Sequence, residues 1–183
     1  MAVGLVALAG LGVVVIGDDD PLPPRPDIPL DTWVPYWTLD DALPEFALRS
    51  GSMREVSPFW FTAVGPDEIA VDENANPEWT AAFMEAARRS GVALVPSIVD
   101  LLPAGEMAAI LAEPDTRAHH VEAIRRFAAD GDYDGIDIDY EQFAFADGRD
   151  TWASTRPNWV AFVEELGAAL RADGRTLTVS IPP

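Results

Sequence analysis

The stretch Asp134-Gly135-Ile136-Asp137-Ile138-Asp139-Tyr140-Glu141 decides how this chain is read. Side chains alternate faces along a β-strand, so Asp137, Asp139 and Glu141 share one side and Ile136, Ile138 and Tyr140 the other. One face is apolar and the other is carboxylate. Successive acids on that face are about 6.6 Å apart along the backbone, near enough for partly buried carboxyls to resist ionising together. At least one is expected to hold its proton above the usual carboxyl range. A protonated acid beside ionised ones at the end of a strand is the equipment of glycosidic-bond cleavage.

A second pattern overlaps the first. Asp130-Gly131-Asp132-Tyr133-Asp134-Gly135, followed by five residues and then Glu141, satisfies the calcium-loop pattern D-x-D-x-D-G-x5-E. A calcium loop must curl around its ion and lead into a second helix. Here Gly135 to Tyr140 alternates like a strand, and Gln142 to Gly148 has no helical period. A calcium-binding module is therefore the weaker alternative.

The flanking sequence alternates strand and helix. Strand candidates are Trp33–Trp37, Glu55–Val64, Gly91–Val99, the acidic run and Thr176–Ile181. Asn76-Pro77-Glu78 supplies a helix cap, a first-turn proline and an acid, with Ala82, Phe83, Ala86 and Ala87 as the buried stripe and Gly91 as the stop. A second helix runs from Asp115 or Thr116 to about Gly131, with Val121, Ile124, Phe127 and Ala128 on one face. A third runs from about Pro157 to Ala172, burying Trp159, Phe162, Val163, Leu166 and Leu170. This order predicts an α/β fold with a parallel sheet and helices outside it. No G-x-G-x-x-G follows the first strand, so a dinucleotide-binding sheet loses its main support. Pro58 and Pro96 are expected at strand starts or bulges, because proline removes a ladder donor.

The run Asp134 to Glu141 resembles the signature of glycoside hydrolase family 18, the chitinase-like enzymes, D-G-x-D-x-D-x-E at the end of the fourth strand of a (β/α)8 TIM barrel. Every fixed position is filled here. The resemblance spans about Trp33 to Pro183 and is nearest the peptidoglycan-directed, spore-cortex-lytic branch through Val56-Ser57-Pro58-Phe59-Trp60-Phe61, Val92–Val99 and Arg117–Asp134. It implies a retaining, substrate-assisted mechanism on N-acetylglucosamine-containing glycans, in which the sugar's own 2-acetamido carbonyl attacks the anomeric carbon. Glu141 would be the general acid and then base, Asp139 would hold the acetamido N–H, and Asp137 would tune both. Asp134 and Gly135 would be structural. A noncatalytic glycan-binding relative is the alternative; such relatives usually lose the glutamate, which is present. The resemblance also implies that the chain holds only about the first five barrel strands, with three strand–helix units to follow Pro183 and little activity without them.

Candidate substrate-binding residues are Tyr36 and Trp60 as stacking platforms, with Trp37, Phe59 and Phe61 as further aromatics near strand ends, and Ser97 and Gln142. Ser97 and Asp100 fall at the rim of the third strand by analogy with barrel folds. Adjacent His119 and His120 point about 100° apart on a helix, make a poor metal pair, and are expected to be exposed. No cofactor and no metal are expected.

With 31 acids and 12 bases, all arginine, the formal charge is −19, which argues against binding nucleic acid through its phosphates. Zero cysteines remove disulfides and thiol chemistry. Ala2 to Ile16 is apolar or glycine, shorter than a membrane span. Residues 1–17 are therefore expected to be signal-peptide-like, or alternatively a weak membrane anchor, although no Lys or Arg precedes the apolar run. Residues 18–31 are expected to form an Asp/Pro-rich linker and 32–183 the partial barrel, a monomer when complete, either secreted or anchored to the outer side of the cell membrane.

Overall fold

The structure is a computed structural model that describes residues 29–180, together with two backbone segments before them, Val6–Ala9 (β1) and Gly12–Val15 (β2). These two pair antiparallel in a sheet of their own. The remainder of the expected signal-like segment, most of the linker and Ile181 lie outside the described residues. Among the described residues no helix is long and apolar enough to cross a membrane.

The main sheet is built from Leu30–Pro35 (β3), Met53–Ala63 (β4), Ala93–Leu94 and Ser97–Asp100 (β6 and β7), Gly135–Asp139 (β8) and Thr176–Val179 (β9). A short strand, Ile69–Val71 (β5), is paired antiparallel to β4. The order β3-β4-β7-β8-β9 is sequential and every step along it is parallel. A doubly wound sheet would reverse its order about a switch point, whereas sequential parallel strands with intervening helices are the wall of a (β/α)8 barrel. The expected fold class is the observed one. β3 begins at Leu30, two residues before the expected domain start, and turns at Tyr36–Thr38 where the strand was expected to continue.

The two prolines interrupt the sheet at one height. β4 pairs with β6 through Val56↔Leu94 and with β7 through Phe59↔Ser97, so Pro58 and Pro96 face each other across the gap. The third strand is thereby split in two, and a bulge follows in β4 between Phe59 and Phe61. The ladder on the other side of β4 is not interrupted, since Val34 of β3 pairs with Pro58 itself.

Helices Leu39–Arg49 (α1), Pro77–Ser90 (α2), Glu106–Ala112 (α3), Pro114–Asp130 (α4), Gln142–Ala146 (α5) and Trp152–Ala172 (α6) complete the chain. α2 starts as its sequence dictates: the Asn76 side chain accepts from the amides of Glu78 and Trp79, and Gly91 ends the helix at φ 74°. α6 begins five residues before Pro157, which lies inside it. The Trp152 indole donates to the Ala144 carbonyl at 2.6 Å and anchors this earlier start.

The core lies between the sheet and these helices. Ile136, Ile138 and Tyr140 are buried, and Tyr140 stacks at 7° on Phe162 of α6. His120 of α4 is fully buried, contrary to the expectation of exposure, while His119 is exposed. Its Nδ1 lies 3.1 Å from the Pro66 carbonyl, which only accepts; Nδ1 therefore carries the proton, and Nε2 accepts from the Tyr140 hydroxyl at 2.8 Å. Arg117 donates to Glu165 and to the Leu111 carbonyl, tying α4 to α6 and α3.

Gly135 is required where β8 meets β9. A Cβ there would lie 2.7 Å from the Thr176 carbonyl oxygen and closer still to its Oγ1. The hydroxyl can rotate away, but the backbone of a paired strand cannot. Gly135→Ala is expected to destabilise the protein by about 1–3 kcal/mol, measured by urea unfolding. Burial holds the His120 pKa below its ordinary value, with the Pro66 carbonyl and Asp67 offsetting part of the effect. The unfolded chain then binds the proton more readily, so this contribution to stability is complete above pH of about 6.5 and is lost as the pH falls below it. The melting-temperature difference between the native protein and His120→Gln is expected to shrink from pH 7 to pH 5; a constant difference would contradict the neutral assignment.

Candidate functional site

β8 carries the site, and its pleat sorts the residues. Asp137 and Asp139 project from the sheet face opposite Ile136 and Ile138, as alternation requires. The register aligns Phe59, Ser97, Asp137 and Thr178 in one row across four strands, with Val99 and Asp139 in the row above.

Asp137 is the best-held acid. Its Oδ2 accepts from Ser97 Oγ at 2.7 Å and from Trp33 Nε1 at 3.1 Å. Burial raises its pKa, and these two donors, which favour the ionised form, hold it back. Asp139 has less support. It is 8 % exposed and its Oδ1 is buried without a hydrogen-bond partner. Burial first, then the charges of Glu141 and Asp137, push its pKa from 3.8 up to about 6, with the Ser180 side chain opposing. Both acids of the strand are thus pushed above the usual carboxyl range, Asp139 with the added repulsion of two neighbouring charges.

Glu141 lies just past β8, half-buried, at the cap position of α5. Asp134 fastens the other end: its Oδ2 accepts from the Leu94 amide at 2.8 Å and its own amide donates to the Leu94 carbonyl at 2.9 Å. That bonding and the straight strand from Gly135 are incompatible with a loop curled about calcium. Among the described residues no group of three or more His, Asp or Glu side chains is placed to hold a metal ion.

The substrate-binding candidates divide. Ser97 is fully buried and spends its hydroxyl on Asp137, so it positions the acid row. Trp60 is 4 % exposed and packs edge-on against Phe83 of α2, while Phe61 packs on Phe127 and Tyr133; both face the helices. The bulge after Phe59 breaks the parity that would have set Phe61 on the acid side. Tyr36 is half-buried and meets Trp37 edge-on at 5.0 Å; Gln142 is exposed.

Trp33 was missed. It is 51 % exposed, bonds Asp137, and lies 5.4 Å from Phe59, which in turn meets the 63 % exposed Trp37. These three rings form an apolar floor beside the acids. Strand parity alone marked Trp33 as a candidate, since it shares a face with Pro35 and, through register, with Ser57 and Phe59. Asp100, buried at the end of β7, accepts from the amides of Gln142 and Phe143 at 3.0 and 3.1 Å. Its pKa is raised to about 6, burial outweighing these backbone donors.

No protein-family model and no curated protein matches the sequence. Solved structures match the fold. A class V chitinase from Pseudomonas fluorescens Pf-5 superposes with TM-score 0.70 at 20 % identity, covering 85 % of this chain and 45 % of that one. A GH18 chitinase from Cycas revoluta in complex with (GlcNAc)3 gives 0.59 at 18 %, covering 82 % and 45 %. The spore cortex-lytic enzyme SleL from Bacillus megaterium QM B1551 gives 0.64 at 14 %, covering 94 % and 38 %. The chain spans less than half the length of these proteins, and at such identities the likeness establishes the fold.

For Asp139, a folded pKa above the unfolded one means a stabilising contribution present below pH of about 3.8 and lost as the pH rises through about 6. Carboxyl-carbon NMR titration is expected to show two aspartates with midpoints near 6, Asp100 and Asp139, of which Asp139 moves down more with Glu141→Gln than with Asp137→Asn. The reverse order would contradict the coupling described.

Proposed function

We propose that this chain carries the catalytic acid row of a glycoside hydrolase family 18 enzyme that cleaves β-linked N-acetylglucosamine-containing glycans with retention. One observation carries the reading: Asp137 and Asp139 lie on one face of a barrel strand with Glu141 two residues past its end, and Asp139 is raised to about 6 and holds a buried oxygen without a partner. An unpartnered buried oxygen calls for a donor from a ligand. The acetamido N–H of an N-acetylated sugar is such a donor. Held there, the acetamido carbonyl oxygen is aimed at the anomeric carbon and forms the new bond as the glycosidic bond breaks. Glu141 protonates the departing oxygen and then takes a proton from the water that opens the oxazoline-like intermediate. Asp137, fixed by Trp33 and Ser97, raises the proton affinity of Asp139 and supports the developing positive charge.

The likeness to a chitinase holding (GlcNAc)3 and to a cortex-lytic enzyme supports chitin or peptidoglycan as the substrate class. Trp33, Phe59 and Trp37 give a sugar ring an apolar surface to lie on. Such polymers are met outside the cell membrane, in keeping with the apolar Ala2–Ile16 as an export signal or anchor. In the full-length polypeptide, Glu141→Gln is expected to lower kcat on N-acetylglucosamine oligomers by about 10²–10⁴-fold with affinity nearly unchanged. Hydrolysis at the parental rate would overturn the assignment.

A further inference from the structure

Among the described residues Glu141 has no strand partner to hold it. β8 ends at Asp139, and the last bond on its β9 side among those residues runs from the Ser180 amide to the Ile138 carbonyl. Beyond that point the backbone turns at φ −96° and ψ −29° into α5, a helix of five residues that is too short to sustain itself. The first amides of a helix need acceptors, and the side chain at the cap position usually supplies one. Glu141 occupies that position and makes no capping bond. Both oxygens of Asp100, on a different strand and 42 residues before Gln142, serve instead: Oδ1 takes the Gln142 amide and Oδ2 the Phe143 amide. The far side of α5 is pinned as well. The Gly105 amide donates to Asp147 Oδ1 at 2.6 Å, and the Trp152 indole donates to the Ala144 carbonyl.

We infer that Asp100 is the positioning residue of Glu141: by capping α5 from the neighbouring strand, it fixes the glutamate's backbone and leaves the glutamate's carboxylate free to face substrate. The inference rests on the acid/base reading of Glu141. A buried carboxylate with both oxygens spent on two consecutive amides permits little movement of the peptide units that follow Glu141. An asparagine keeps the size of Asp100 but turns an NH2 toward one of those amides, losing one bond and opposing two donors.

The test uses Asp100→Asn, Asp100→Ala and Glu141→Gln in the full-length protein. In both Asp100 variants the amides of Gln142 and Phe143 are expected to exchange with solvent about 10-fold faster or more, while those of Ile136 and Ile138 keep their protection. kcat is expected to fall about 10-fold or more, with KM within a few-fold, as for a group needed to aim the acid and not to bind the glycan. Unchanged exchange at Gln142 and Phe143 overturns the inference, as does a parental kcat in Asp100→Ala while Glu141→Gln is inactive. That second result leaves the acid/base reading standing. Full activity in Glu141→Gln removes that reading and this inference with it. If Asp100→Ala does not fold, Asp100→Asn decides by the same two measurements.

Discussion

A carboxylate sits inside a sheet wall only where donors reach it, and Asp137 receives two. Ser97 comes from the third strand and Trp33 from the first, so a single oxygen draws three strands around the acid face. Ser97 and Asp137 are also register partners, which means that the bond needs no distortion of the ladder. Trp33 must reach across from β3, and in doing so it brings its ring against Phe59. The apolar floor and the acid row are thus made by the same contact. The donors of Asp137 favour its charged form, and that charge helps to push the Asp139 carboxyl up.

The opposite face of β8 is assembled on different terms. Ile136, Ile138 and Tyr140 enter the helical layer, and the one polar atom they bring, the Tyr140 hydroxyl, is matched by a neutral histidine that is itself matched by the Pro66 carbonyl. This chain of bonds runs from the loop after β4 through α4 to the residue between Asp139 and Glu141. A buried network is tolerated when each member is satisfied. The acid face departs from that rule at one atom, Asp139 Oδ1, and an orphan of this kind concentrates attention on the place where a ligand donor fits.

Much of the fold was legible because it follows from local periods. The alternation in Gly135–Asp139, the cap Asn76-Pro77 and the stripes ending in Ala87, Ala128 and Leu170 all read as they are built. Pro157 misled about the start of α6, since the indole of Trp152 secures an extra turn that proline statistics discourage. His120 looked like a surface residue beside His119, because the distinction between them lies in which face of α4 meets Tyr140. Trp60 and Phe61 looked like sugar platforms, but Trp60 faces the helices by its parity next to Phe59, and the bulge between Phe59 and Phe61 turns Phe61 the same way.

The sequence by itself determined the parallel α/β wall, the sidedness of β8 and the identity of the acids, since each depends on residues within a few positions of one another and on a pleat of period two. Tertiary structure alone decided how the carboxyl of Asp139 is pushed up, what Ser97 and Trp33 do, and how Glu141 is steadied by Asp100. Those outcomes depend on burial and on donors 40 to 104 residues away. Desolvation and hydrogen bonding act through space, and no local pattern records them until the strands are laid side by side.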